Sequence, residues 1–205
     1  LKEFDMSERV LFYDTETTGL PIWKAGPDHP DQPHIVQLAG MLMEPDRSMA
    51  GFVNVIIKPD GFEIPPEASD IHGITQDQAE AEGIPLWRAM WMFERLLGMA
   101  DLRVAHNVDF DDLLLSAAYH RLGLTRELLN DRPSYCTKEA TTPILELPGP
   151  YGFKWPKLSE AYEYYFDKEI QGAHDAMVDL KACADIYYAI LDDPAWRRAY
   201  TPEQK

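Results

Sequence analysis

Cysteine is almost missing from this chain: only Cys136 and Cys183 are present, far apart and outside any C-x-x-C pattern. That excludes a disulfide framework and a thiolate zinc site, and it suits a reducing compartment. Positive charge is scarce as well, with 19 Lys and Arg against 35 Asp and Glu and a net charge of −16. Such a surface does not adhere broadly to nucleic acid or to anionic membranes. It leaves room for a local site in which carboxylate-held divalent metals, a few amines and backbone N–H groups meet a polyanion. No apolar run approaches the roughly 20 residues that span a bilayer. The opening "LKEFDMSERV" lacks the basic-then-apolar pattern of a secretory signal, so the expectation is a soluble, cytoplasmic protein with no membrane partner. Internal repeats are absent, and nothing is of low complexity beyond one Pro-rich stretch.

What is present is an ordinary globular composition, 45% apolar over 205 residues, enough for one large domain with a substantial core. "RVLFYDTET", "HIVQLAGMLME" and "GFVNVIIKP" read as three consecutive strands, a meander. Between the first two, Pro21, Pro27, Pro30 and Pro33 break "PIWKAGPDHPDQP" into a long loop carrying Trp23 and Lys24. "IPPEASDIHGIT" reads as short turns. "IPLWRAMWMFERLLGMA" has apolar residues at helical spacing, "LRVAH" is a short buried strand, and "FDDLLLSAAYHRLG" is a helix closed by Gly123. "SYCTKEA" reads as a further strand edge, and "KLSEAYEYYF" and "AMVDLKACADIYYAIL" as two more helices. Strands followed by alternating helix and strand predict α/β with a mixed sheet.

Acids break this pattern in three places. In "LFYDTETTGL" an apolar strand ends in Asp14 and Glu16, which alternation puts on one face, where like charges repel unless a cation lies between them. In "AHNVDFDDLLL" a buried strand gives way to a helix at Asp109, Asp111 and Asp112. Helix capping accounts for one of these, but not for three acids preceded by His106 and Asn107. In "GAHDAMVDLKACADIYYAIL" the inward stripe is Ala176, Leu180, Cys183, Tyr187 and Ile190. Asp179 lies at its edge, where an unpaired carboxylate is costly, whereas Asp175 reads as an early-turn acid and Asp185 as a solvated one. His174 stands just before that helix. Converging acids need counter-charge, and oxygen ligands without a Cys or His cluster favour Mg²⁺ or Mn²⁺ over Zn²⁺. Two such ions would clamp an in-line displacement at phosphorus, and a histidine near neutral pKa could take the proton of water.

These motifs resemble the DEDD exonucleases of the DnaQ-like, ribonuclease H-like superfamily, in the branch with a catalytic histidine. D-x-E stands as Asp14-Thr15-Glu16, H-N-x-x-F-D as "HNVDFD", which selects Asp111, and H-x-A-x-x-D as "HDAMVD", which selects His174 and Asp179. A tyrosine-branch member would have Tyr where Asp175 stands. The resemblance implies a mixed five-stranded sheet with helices on both faces, residues 1–205 as one exonuclease domain, terminal extensions at 1–8 and 192–205, and an insertion at 21–33. It also implies that Asp14, Glu16 and Asp179 hold the metal on which the nucleophile forms. Asp14 would ligate a second metal supported through water by Asp111, with His174 as general base. Two further segments resemble bacterial proofreading subunits, in which backbone around Thr17 and the side chain of Leu20 would meet the terminal sugar and base and "IHGIT" would bring His72 near that base.

Asn107 and the loop residues Lys154, Trp155 and Lys157 are further expected strand contacts, the last three by charge and stacking. The expected activity is 3′-to-5′ exonuclease on single-stranded or frayed DNA with two Mg²⁺ or Mn²⁺, releasing nucleoside 5′-monophosphates, in a repair, proofreading or phage setting. No polymerase-binding tail is expected after Ile190, so a polymerase partner is not indicated. The alternatives are an exoribonuclease of the same fold and a non-catalytic module that holds a 3′ end.

Overall fold

The computed structural model describes residues 7–193. Most of the two expected terminal extensions therefore lies outside the described residues, and the last described helix runs to Asp192, the first residue assigned to the second extension. In chain order the elements are β1 (Val10–Thr17), β2 (Ile35–Met43), β3 (Met49–Ile56), α1 (Pro66–His72), α2 (Gln76–Glu82), α3 (Leu86–Leu97), β4 (Leu102–Ala105), α4 (Val108–Arg121), α5 (Glu127–Asp131), β5 (Ser134–Cys136), α6 (Thr137–Leu145), β6 (Pro148–Gly149), β7 (Gly152–Phe153), α7 (Leu158–Phe166) and α8 (Ala176–Asp192). The main sheet has five strands in the order β3-β2-β1-β4-β5. The meander pairs antiparallel, with Asp14 opposite Ala39 and Glu16 opposite Gln37, while β4 joins β1 and β5 joins β4 in parallel. This is the expected α/β mixed sheet.

Alternation along β1 explains the two-sided core. Leu11 and Tyr13 pack with Phe93 and Met90 of α3 and Leu114, Leu115 and Ala118 of α4. Val10 and Phe12 face the other way, against Ala176, Leu180, Cys183 and Tyr187 of α8. Burying both faces of a strand calls for a nearly continuous apolar run, which "VLFY" supplies. The next residues on the α8 side are Asp14 and Glu16, so the apolar run stops where the sheet reaches its carboxyl edge.

The segment "IPPEASDIHGIT" corrects the sequence reading, since it forms helix α1 and ends in the cap of α2 rather than being turns alone. Pro66 sits at the first helical position, where its fixed φ helps and its missing N–H costs nothing. Gly73 closes α1 at φ 75°, and the Thr75 side chain caps α2 by accepting from the Gln78 N–H.

One buried ion pair ties the two halves of the sheet to α4. Arg103 on β4 donates from Nη1 to Asp112 Oδ1 at 2.5 Å and to the Tyr13 hydroxyl at 2.7 Å, and that hydroxyl donates to Asp112 Oδ1 at 2.7 Å. Removing one partner from a fully buried pair costs about 3–5 kcal/mol, because the other charge is stranded. Here the Asp112 side chain keeps 25% exposure. Arg103→Met is therefore expected to lower the unfolding free energy by about 2–3 kcal/mol, read as a lower urea midpoint at unchanged slope. An unmoved midpoint would show that the triad contributes nothing net.

Candidate active site

Four carboxylates meet at the carboxyl end of β1. Asp14 and Glu16 come from the strand itself and are half-buried. Asp179 comes from the first turn of α8, on the same face, and Asp111 from the first turn of α4, on the other. Thr15, between the two strand acids, points toward α4 and donates its hydroxyl to Asp111 Oδ1 at 2.8 Å. The three acids at the start of α4 now separate: Asp112 belongs to Arg103, Asp109 is exposed, and Asp111 is buried at 2% exposure. Each acid-bearing helix is entered through a non-glycine residue in the left-handed region, Asn107 at φ 89° and His174 at φ 68°. Such backbone costs on the order of 1–3 kcal/mol and persists where its surroundings over-determine it.

The electrostatics of this corner are one-sided. Among the described residues the ion pairs of lysine and arginine are Arg9–Glu44, Arg47–Asp192, Arg103–Asp112 and Lys154–Glu160, and none involves these four acids. Burial, then the charges of Asp111, Glu16, Asp179 and Asp175, hold the Asp14 carboxyl well above its usual range. Burial, then Asp179 and Asp111, pushes Glu16 up to about 8. Burial likewise pushes Asp111 up to about 8, against the lowering effect of the Thr15 hydroxyl. Asp179 is raised by burial although the His174 N–H opposes this.

This arrangement fits a divalent cation. Oxygens of Glu16 and Asp179 and a ring nitrogen of His174 lie within 4.8 Å of one another. Asp179 Oδ2 accepts from the His174 N–H at 3.0 Å, while its Oδ1 is buried with no hydrogen-bond partner. A buried carboxylate oxygen without a donor is an unmet demand for positive charge. The donor set is mostly hard oxygen, as Mg²⁺ or Mn²⁺ prefers.

Beside the acids lies a cleft of about 460 Å³ lined by Glu16, Thr17, Leu20, His72, Phe110 and His174, among others. Thr17, Leu20 and His72 thus line one cleft. Leu20 is 81% exposed at the cleft, so it is no core residue. His72 accepts the Ile74 N–H on Nδ1 at 3.1 Å, a turn-capping bond, while its Nε2 is buried without a partner. Burial, then the charge of His174, lowers its pKa.

Asn107, Lys154, Trp155 and Lys157 do not line this cleft. Asn107 accepts from Lys138 Nζ at 2.5 Å, and the same Nζ sits 4.0 Å from the centre of the Trp155 ring. His106, held neutral by burial with its pKa pushed down to about 4, has its Nδ1 2.9 Å from the Thr137 hydroxyl and its Nε2 3.1 Å from the Pro156 carbonyl. The β6–β7 hairpin and the residues after it are thereby fastened beside the start of α4. Lys154 pairs with Glu160, and Lys157 is the N-cap of α7, its N–H donating to Glu160.

Three residues escaped the sequence reading. Gln37, directly across from Glu16, accepts the Ala176 N–H at 3.1 Å and donates to Asp175 Oδ2 at 3.1 Å, which pins the start of α8 to the sheet. A lone polar residue in an otherwise buried strand was the available signal. Phe110 stood inside a quoted motif, one residue before the selected acid. Lys138 had no local signal, since it reaches Asn107 only through the fold.

The family model RNase_T, described as an exonuclease family, matches residues 11–187. No curated protein matches the sequence. Solved structures do: E. coli Exonuclease I in complex with a dT13 oligonucleotide is similar at TM-score 0.74 and 21% identity, over 94% of this chain and 42% of that one. The zinc-bound form of the E. coli ExoI–ssDNA complex is similar at 0.75 and 20%, over 94% and 42%. An ExoI/SSB-Ct complex is similar at 0.73 and 19%, over 94% and 43%. At such identities the likeness is one of fold, and this chain spans less than half the length of those chains.

Proposed function

Because the chain belongs to the RNase_T exonuclease family, whose model spans most of its sheet and all four converging acids, we propose that it is a 3′-to-5′ exonuclease acting on single-stranded or frayed DNA ends. The observation that carries this reading is the meeting of Asp14, Glu16, Asp111 and Asp179, none with a lysine or arginine ion-pair partner among the described residues, beside a cleft of about 460 Å³. Those four side chains would hold two divalent cations, Mg²⁺ or Mn²⁺, which supply charge at the scissile phosphate, favouring both the attacking water and the departing oxygen.

The chain's own residues do the rest. His174, exposed at the mouth of the cleft, accepts the proton of the attacking water. Thr17 and Leu20 seat the terminal sugar and base, with His72 and Phe110 lining the same cleft. Asp111 orients its carboxylate through the Thr15 hydroxyl, and Gln37 fixes the helix start that carries Asp175 and, four residues on, Asp179. Binding of DNA oligonucleotides by the Exonuclease I relatives supports single-stranded DNA as substrate. Residues 21–33 would be an inserted loop in this single exonuclease domain.

Product identity tests the reading. With Mg²⁺ or Mn²⁺, a single-stranded DNA is expected to yield nucleoside 5′-monophosphates from its 3′ end. Nucleoside 3′-monophosphates, or shortening from the 5′ end, would contradict it. Faster cleavage of an RNA of the same sequence would move the substrate to RNA while keeping the chemistry.

A further inference from the structure

The Pro-rich loop at 21–33 is a braced arm rather than a slack insertion. Gln32, only 1% exposed, accepts the Ile22 N–H at 3.1 Å and donates to the carbonyls of Ile22, Ala25 and Gly26 at 3.2, 3.4 and 3.1 Å. Arg121, the last residue of α4, donates to the carbonyl of Pro33 at 2.9 Å and to that of Gln32. At its base, Thr18 N donates to the His34 carbonyl and His34 N to the Thr18 hydroxyl, both at 2.9 Å. Prolines and internal hydrogen bonds leave such a loop little conformational freedom to lose on binding.

This arm holds an indole in solvent. Trp23 is 56% exposed, and its ring centre lies 6.4 Å from that of Phe110, the planes tilted by 56°. Phe110 lines the cleft and Trp23 does not, so Trp23 continues the cleft's aromatic wall outward. Lys24, beside it, is exposed. A rigid aromatic half in water next to a cation is the equipment for stacking a base and meeting its phosphate without reading sequence.

We propose that Trp23 stacks the base next to the terminal one, so that the arm makes the enzyme select 3′ ends whose last two nucleotides are unpaired. The proposal rests on the exonuclease reading of the cleft, and on Phe110 joining the arm to it.

The test compares the full chain with Trp23→Ala and Trp23→Phe. Binding of a 5′-fluorescein dT oligonucleotide is followed by anisotropy with Ca²⁺ in place of Mg²⁺, beside a twin strand whose penultimate nucleotide lacks its base. Trp23→Ala is expected to weaken binding of the intact strand roughly ten- to one-hundred-fold and to leave the abasic twin unchanged, while Trp23→Phe retains most of the affinity. Equal losses on both strands, or no loss on either, would overturn the stacking role. A p-nitrophenyl ester of thymidine 5′-monophosphate, which has one base only, should be hydrolysed equally by Trp23→Ala and the parent protein with Mn²⁺. If the parent cleaves neither ester nor strand, the exonuclease reading fails, and the binding comparison still decides the arm.

Discussion

Asp179→Asn is expected to lower metal-dependent turnover by about a thousand-fold or more while leaving the fold intact. The substitution keeps the side chain's size and an oxygen that can accept the His174 N–H, now bonded to Oδ2 at 3.0 Å. It removes the charge from a group whose other oxygen is buried without a partner. Because the carboxylates of this corner repel one another with no lysine or arginine between them, neutralising one should leave the urea midpoint unchanged or raise it. Turnover falling while stability holds would separate a metal-holding role from a structural one. Near-parental turnover by a folded Asp179→Asn protein would contradict the assignment.

His174→Ala should slow hydrolysis by roughly two to four orders of magnitude, the usual range for losing a general base. Unlike the acids, His174 is exposed, so its ring contributes little packing. Its backbone lies at φ 68°, and alanine would carry the same left-handed cost, so stability should barely change. Mn²⁺ affinity, measured by calorimetry, should fall far less than turnover, since Glu16 and Asp179 remain with the other acids. If turnover is unaffected, another group takes the proton. Loss of folding would make the residue structural.

The meander and the buried strand "LRVAH" were legible as runs rich in β-branched and aromatic residues, and α3, α4, α7 and α8 as stretches with apolar residues at helical spacing and clear stop signals. Helices α1 and α6 were not. Pro65 and Pro66 look like breakers, and only the position of Pro66 at the first helical residue turns a breaker into a start signal. In α6 an internal Pro143 and a run of threonines mask the helix. At the site, the strand acids announced themselves by ending an apolar run, and the family match agrees with the resemblance drawn from the three motifs. Spacing alone could not choose among Asp109, Asp111 and Asp112. The physical discriminator is Arg103, which neutralises Asp112 from a neighbouring strand, and that is a property of the fold. Gln37 and Lys138 were hidden for the same reason, since each acts on a segment far along the chain.

The most direct measurement is a time course on a single-stranded DNA oligonucleotide labelled at its 5′ end, with Mg²⁺, Mn²⁺ and EDTA in parallel. A descending ladder, one nucleotide at a time from the 3′ end, is expected with either metal and none in EDTA. An intact strand in all three conditions, with the matching RNA also intact, would contradict it and leave the converging carboxylates as the framework of a binding module.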